Sequence, residues 1–247
     1  MAHIRSRWKA FGLAGLAALA VSSHGVFATD AYKCYQAQEI FVEQARPSVI
    51  NDAFGGDPDV RVHNAQWFCN PVSVELADGT FIQATAPSNH LTLYPVSNSS
   101  PIGKKDIRIQ NQFGTQTIGI TTARLAALPT WKQGDGAPDG VSPFKCYVAT
   151  GDALDVDATL EDDFHTESVT VVQPKYFCSP ATITTGEEST PAIADEASLT
   201  CYKASPGSKP PVQHIFFDSQ IGIPDTMRIG SSNFMCVPTT VLTEPQQ

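Results

Sequence analysis

The segment Tyr32-Lys33-Cys34-Tyr35 decides the fold, because it recurs as Phe144-Lys145-Cys146-Tyr147 later in the chain. A second pair of segments repeats at almost the same offset, and two weaker pairs lie between these copies. They are Trp67-Phe68-Cys69-Asn70-Pro71 with Tyr176-Phe177-Cys178-Ser179-Pro180, His90-Leu91-Thr92-Leu93-Tyr94 with Ser198-Leu199-Thr200-Cys201-Tyr202, and Ala127-Leu128-Pro129-Thr130 with Cys236-Val237-Pro238-Thr239. The chain is therefore a tandem duplication, and each copy contains two similar half-modules.

The middle of each half-module predicts β-strands joined by tight turns. A polar-to-apolar turn segment comes first, and a stretch that alternates β-branched with other residues follows it, as in Val60-Arg61-Val62 and Val169-Thr170-Val171. The four turn segments are Asp52-Ala53-Phe54-Gly55, Asn111-Gln112-Phe113-Gly114, Asp162-Asp163-Phe164 and Ser219-Gln220-Ile221-Gly222. Period-two alternation between turn residues is typical of strands. With 18 prolines and 17 glycines in the chain, the sequence predicts an all-β fold of sandwiches or barrels.

Composition places a linker at residues 131–143, which contain Gly134-Asp135-Gly136 and Pro138-Asp139-Gly140. The prediction is two tandem, disulfide-stapled β-sandwich or barrel-like domains, residues 29–130 and residues 144–247. A half-module of this length buries too little apolar area to be stable alone. We therefore expect the two half-modules of each domain to share one core.

The six cysteines favour pairing inside half-modules. In the second half-module, Leu93 and Ala127 stand where the other three have cysteines, so both members of one pair are missing together. A self-contained first domain would leave Cys34 only Cys69 as a partner. The predicted pairs are Cys34 with Cys69, Cys146 with Cys178, and Cys201 with Cys236. Closing loops of this size stabilises a fold by roughly 3.5 to 4 kcal/mol in the entropy model, and Leu93 is expected to face Ala127.

Residues 1–28 predict a cleavable export signal. Arg5, Arg7 and Lys9 precede an apolar run over residues 10–21, and cleavage is expected between Ala28 and Thr29. This charged, apolar and polar order is that of a secretory signal, and the run is shorter than the roughly 20 residues of a membrane span. The expected location is secreted, periplasmic or extracellular, where an even number of cysteines predicts disulfides.

Charge excludes some partners. Removing the three positive charges of the signal takes the formal net charge from −9 to −12, and Lys104-Lys105 is the densest basic group that remains. A surface this acidic repels nucleic acid and anionic lipid. The sequence predicts no nucleic-acid partner and no membrane span after cleavage. An unknown extracellular ligand or a cell-envelope component is the expected partner.

The repeated signals resemble a family of secreted bacterial and archaeal proteins whose repeat is a domain of unknown function. The similarity covers nearly all of residues 32–240 and is clearest at Lys33-Cys34-Tyr35, at residues 111–114 and at residues 236–239. This chain departs from the pattern at Leu93, Ala127 and Ile221. The resemblance implies an extracytoplasmic β-rich module found in tandem, and it implies no activity.

The sequence predicts no catalytic and no metal-binding residues. The histidines of the mature chain, at positions 63, 90, 165 and 214, form neither H-x-x-x-H nor H-E-x-x-H, and no Gly-x-Ser-x-Gly elbow occurs. One acidic cluster raises the alternative of calcium, which prefers six to eight oxygen ligands. Its members are Asp152, Asp155, Asp157, Glu161, Asp162 and Asp163. No D-x-[DN]-x-[DN]-G loop is present, so a solvated acidic edge is favoured over a cofactor site.

A tryptophan close to a cysteine leaves a second alternative open. Trp67 could offer a platform to a sugar ring, but its place beside Cys69 favours packing over the disulfide. The sequence therefore favours a non-enzymatic secreted or cell-envelope β module with a structural, adhesive or weak ligand-binding role. The alternatives are an extracytoplasmic hydrolase or carbohydrate-active protein with a site between the domains, and a calcium-dependent adhesion module.

Overall fold

The computed structural model describes residues 29–41, 44–221 and 224–242, and the predicted signal at residues 1–28 lies outside this part. The predicted all-β class is confirmed, with 16 strands and no helix in the described residues. The first two half-modules comprise β1 (Tyr32–Glu39), β2 (Arg46–Asp52), β3 (Gly55–Val62), β4 (Trp67–Pro71), β5 (Ser73–Leu76) and β6 (Phe81–Ile82), then β7 (His90–Ser97), β8 (Lys105–Asn111) and β9 (Gly114–Lys132). The last two comprise β10 (Phe144–Thr150), β11 (Val156–Glu161), β12 (Thr166–Thr185) and β13 (Glu188–Thr190), then β14 (Ser198–Ser205), β15 (His214–Ser219) and β16 (Asp225–Leu242).

Eight of these strands close into an antiparallel barrel, and each half-module contributes two. Around the ring, β1 pairs with β4, β4 with β7, β7 with β9, and β9 with β10. The ring continues from β10 to β12, β14 and β16, and β16 pairs with β1 to complete it. A closed barrel leaves none of these eight strands with an unpaired edge.

Strand alternation sends the cysteines into the barrel and their neighbours outward. Successive side chains of a strand point to opposite faces, so Lys33 and Tyr35 lie on the other face from Cys34. All six cysteines belong to one buried cluster with Leu93, Ala127 and Trp67. Three further apolar clusters lie between the outer face of the barrel and the peripheral strands. The barrel interior is therefore a packed core.

The disulfides join strands that are directly opposite each other. They are Cys34–Cys69, Cys146–Cys178 and Cys201–Cys236, the same three pairs that the sequence predicts. In each bridge the two cysteines are register partners on adjacent strands. Leu93 is the register partner of Ala127, and both are buried, so the expected apolar contact at the missing bridge is confirmed.

The hairpin strands outside the barrel are exchanged between the two copies of the repeat. Strand β2 of the first half-module pairs with residues 181–185 of β12, and β11 of the third pairs with β5 of the first. In the same way, β8 of the second half-module pairs with the end of β16, and β15 of the fourth pairs with the end of β9. Each half-module therefore exchanges a strand with its counterpart in the other copy.

This exchange corrects the expectation of two domains with separate cores. The loop between β9 and β10, residues 133–143, lies within the predicted linker of residues 131–143, whose first two residues belong to β9. The strands on either side of it, however, pair with each other, and strands of both copies line the same barrel. The reason is that a half-module buries its apolar faces only against other half-modules, and the closed ring serves all four at once.

Candidate functional site

The repeated Lys-Cys-Tyr motif and the repeated turn meet on the outside of the barrel. We call this contact a clamp: a tyrosine of a barrel strand, and the residue two positions before it, held by the turn of the corresponding half-module in the other copy. The side chains of a clamp come from segments more than 80 residues apart in sequence. The exchange of hairpins is what brings them together.

The first clamp joins strand β1 to the turn between β11 and β12. The Tyr35 hydroxyl donates to Asp162 Oδ2 at 2.8 Å, and Lys33 Nζ lies 3.1 Å from Glu167 Oε1 and 3.7 Å from Asp162 Oδ1. Asp162 Oδ1 accepts the backbone N–H groups of Phe164 and His165, which fixes the turn. The Lys33 side chain is fully buried. The ion pair is thus removed from water at the contact between the two copies.

The second clamp repeats this arrangement with the copies exchanged. Lys145 Nζ lies 2.9 Å from Asp57 Oδ2 and 3.8 Å from Asp52 Oδ1, and the Tyr147 hydroxyl is 2.8 Å from Asp52 Oδ2. Asp52 Oδ1 accepts the N–H groups of the turn residues 54 and 55. Equivalent residues of the two copies therefore make equivalent ion pairs.

The remaining two clamps are neutral. Asn111 Nδ2 donates to the Tyr202 hydroxyl at 2.8 Å, and the Tyr94 hydroxyl lies 2.8 Å from Ser219 Oγ. Threonines, Thr92 and Thr200, stand where the charged clamps have lysine, two positions before the tyrosine. The contact between tyrosine and turn is thus built twice with buried charges and twice with hydroxyl and amide groups. Thr92 and Thr200 differ from the lysines, because they accept hydrogen bonds from threonines of their own copy.

Burial and hydrogen bonding act in opposite directions on the clamp carboxylates. Burial opposes the charge of Glu167, but hydrogen bonds from Ser208 and Ser232, together with Lys33, hold its pKa below the ordinary value. Burial likewise opposes the charge of Asp57, and hydrogen bonds that include Lys145 outweigh it, so the pKa of Asp57 is lowered.

At Asp52 the balance is reversed. Burial raises the pKa of Asp52 despite the lysine and the hydrogen bonds that favour its charged form. Burial also raises the pKa of Tyr35 and of Tyr147, and each tyrosine faces a carboxylate that reinforces the effect. Both phenols therefore stay protonated and act as hydrogen-bond donors, whereas a base or nucleophile would need the phenolate.

A serine and a histidine meet beside the first clamp. Ser208 Oγ lies 2.6 Å from His165 Nε2, and the Ser208 hydroxyl also donates to Glu167. His165 Nδ1 lies 3.4 Å from the Tyr35 hydroxyl. A serine within hydrogen-bond reach of a histidine is an arrangement that nucleophilic catalysis uses.

The second clamp shows a structural counterpart of this serine. Ser99 Oγ donates to Asp57 Oδ2 at 2.8 Å, and the backbone N–H of Ser100 donates to Asp57 Oδ1 at 2.9 Å. Ser208 makes the equivalent hydrogen bonds in the first clamp, since its hydroxyl and its backbone N–H both donate to Glu167 Oε2. Where His165 stands, the other copy has Gly55. Both copies therefore have a serine that donates a hydrogen bond to the clamp carboxylate, which we call the carboxylate cap. The histidine beside this serine is present only in the first clamp.

The acidic segment of residues 152–163 does not gather around one point. Asp162 belongs to the first clamp, Asp163 pairs with Lys132, and Asp157 accepts a hydrogen bond from Thr170. Across residues 29–41, 44–221 and 224–242, no three His, Cys, Asp or Glu side chains are grouped as metal ligands would be.

No local sequence motif predicts the pair formed by the buried His90 and the partly exposed Asp135. His90 Nε2 lies 2.7 Å from Asp135 Oδ2, and the imidazole stacks on Phe68. Burial lowers the pKa of His90, and Lys132 adds to this effect, against Asp135, which acts to raise it. Because the partners are 45 residues apart, in a strand and in the predicted linker, no local motif marks the pair.

The other candidates from the sequence have ordinary surroundings. His63 Nε2 lies 2.8 Å from Ser97 Oγ, and His214 is exposed on β15. Trp131 donates its indole N–H to the backbone oxygen of Asp135. Trp67 is buried in the cluster that contains the disulfides, as the packing interpretation expects.

The comparisons with known proteins agree with this repeat architecture. The family model described as "Repeat of unknown function (DUF7450)" matches residues 90–237, more than half of the chain. The chain therefore belongs to this family of repeats. No match was found among curated proteins or among solved structures. The described residues contain no helix long and apolar enough to cross a membrane.

Proposed function

We propose that this protein is a non-enzymatic, exported β module whose role in the cell envelope or outside the cell is structural, with ligand binding as a secondary capacity. The observation that carries the proposal is that the side chains of the repeated motifs hold the two copies together. Lys33, Tyr35, Lys145 and Tyr147 all contact carboxylates of the opposite copy. Residues that a chemical site would need free are committed to the fold.

Export supports this role. Three disulfides within 247 residues are typical of proteins that fold outside the reducing cytoplasm. N-terminal sequencing of the protein from its producing cells should find Thr29, within a few residues, as the first residue. Exported protein that begins at Met1 would contradict a cleaved signal.

The second candidate function, an extracytoplasmic hydrolase, is favoured by the contact between Ser208 and His165. A panel of ester, glycoside and peptide substrates distinguishes the two functions. We expect no turnover that depends on Ser208, so the wild type and Ser208→Ala should give the same result with every substrate. Turnover that Ser208→Ala abolishes and Ser99→Ala retains would overturn the structural proposal, because Ser99 is the matched cap of the other copy.

A structural role also predicts association with the envelope. The folded chain of residues 29–247 should co-sediment with envelope fragments from its producing cells, and the same chain reduced and heat-unfolded should not. Calcium, zinc and a glycan panel, tested by thermal shift, report ligand binding separately, since a ligand specific for the folded state raises the melting temperature. A folded chain that stays in the supernatant would contradict envelope attachment.

A further inference from the structure

Three aromatic rings form a cage at one mouth of the barrel. Trp67, Tyr176 and Phe234 occupy equivalent positions, each two residues before the second cysteine of its half-module. The ring centroids lie 5.7 to 6.3 Å apart, and the ring planes are inclined by 60 to 66° to one another. The rings contact one another edge to face; Trp67 and Phe234 are buried, and Tyr176 is partly exposed. The second half-module has Leu125 at this position.

The ammonium group of Lys175 occupies the cage. Lys175 Nζ lies 5.0 Å from the ring centroid of Phe234, 5.4 Å from that of Tyr176 and 5.5 Å from that of Trp67. An ammonium group within about 6 Å of an aromatic centroid is attracted by the ring quadrupole. Here three rings act on one ammonium group, so the cage has the chemistry of a cation site.

Lys175 is a poor occupant of this cage. A primary ammonium group carries three N–H donors, yet within the described part of the chain Lys175 Nζ makes neither an ion pair nor a hydrogen bond. Burial lowers the pKa of Lys175, and Lys203 adds to the effect. A quaternary ammonium group has no N–H to satisfy and loses nothing where the walls are aromatic faces alone.

The charges at the mouth disfavour a simple cation. Lys203 is the register partner of Phe234 and is exposed, and Lys175 stands beside the same ring. Two lysines at one mouth repel a ligand that is only positive, and they attract an anionic group attached to it. The ligand that satisfies both the cage and the lysines carries both charges.

We propose that this mouth of the barrel binds a zwitterion that joins a quaternary ammonium group to a carboxylate or a phosphate. The ammonium group takes the place of Lys175 Nζ between Trp67, Tyr176 and Phe234. The displaced Lys175 and the neighbouring Lys203 then face the anionic group. This proposal is independent of the structural role above, because it uses the three aromatic rings and two lysines and none of the clamps.

Titration calorimetry of residues 29–247 with three small molecules tests the proposal. Glycine betaine carries both features, choline has the quaternary ammonium without the anion, and glycine has the anion with a primary ammonium. We expect saturable binding in the order glycine betaine, choline, glycine, with a change in the fluorescence of Trp67. Absence of saturable binding of glycine betaine, or binding of glycine as tight as that of glycine betaine, would overturn the proposal.

Substitutions at the mouth give a second, independent readout. Tyr176→Leu should lower the affinity for glycine betaine by about tenfold, which is the contribution of one desolvated cation–π contact. Lys203→Ala should remove the preference for glycine betaine over choline. Lys175→Ala should raise the affinity for choline, because the cage is then free of the lysine ammonium group. An unchanged affinity in Tyr176→Leu would refute the cage. Trp131→Phe, a substitution outside the cage, is the matched control, and melting temperatures verify that each variant is folded.

Discussion

At the scale of single residues, the buried lysines set the strength of the charged clamps. Lys33 lies between Asp162 and Glu167 with its side chain fully removed from solvent. Removing one partner of a buried ion pair leaves an uncompensated charge, which costs about 3–5 kcal/mol. We expect Lys33→Met to lower the free energy of unfolding by this amount in urea denaturation. A loss below about 1 kcal/mol would show that the pair is not buried.

The neutral clamps of the same molecule provide the matched control for this loss. Thr200, Asn111 and Gln116 stand where the first clamp has Lys33, Asp162 and Glu167. The triple variant Lys33→Thr, Asp162→Asn, Glu167→Gln copies that set and leaves no unpaired charge. It should recover most of the stability that Lys33→Met loses, as replaced ion pairs commonly do. A triple variant with a lower free energy of unfolding than Lys33→Met would contradict the equivalence of the clamps.

The pKa of Glu167 gives a further expectation, on acid stability. Because this pKa is lowered in the folded protein, its contribution to stability is present above the unfolded value of about 4.3 and is lost as pH falls through the folded value. Melting temperatures of the wild type should therefore drop from about pH 5 downward. Glu167→Gln should show a shallower drop. Parallel pH curves for the two proteins would argue against the lowered pKa.

At the scale of strands, the unbridged pair Leu93 and Ala127 should accept a fourth disulfide. The two residues are register partners, as the cysteines of the natural bridges are. We expect Leu93→Cys with Ala127→Cys to oxidise without free thiol. The double variant with this fourth bridge should have a free energy of unfolding about 3–4 kcal/mol higher than the same variant in which only this bridge is reduced. Two free thiols after oxidation would contradict the register.

The sequence predicts strands and register better than it predicts partners between copies. Similarity of the half-modules is sufficient to find the cysteine pairs and the facing of Leu93 and Ala127, because both depend on pairing within one half-module. This similarity does not predict whether β2 pairs with a strand of its own copy or of the other copy, because counterpart half-modules have the same alternating pattern. The clamps escape prediction for the same reason, although the lysine repeated beside Cys34 and Cys146 marks where they form.

At the scale of the whole molecule, the two copies form one closed barrel with exchanged hairpins. All three disulfides lie within a copy, and none crosses between copies. The copies are joined covalently only through the loop between β9 and β10. What holds them together otherwise is strand pairing, the shared interior and the clamps.

Cleavage of that loop tests the barrel most directly. A protease site inserted between Gly136 and Ala137 allows the folded protein to be cut into two pieces, which native mass spectrometry and size-exclusion chromatography then follow. The account predicts that the pieces stay together as one particle with the mass of the whole chain, and that they separate only in denaturant. Two folded pieces that elute separately in native buffer would contradict the shared barrel and the exchange of hairpins.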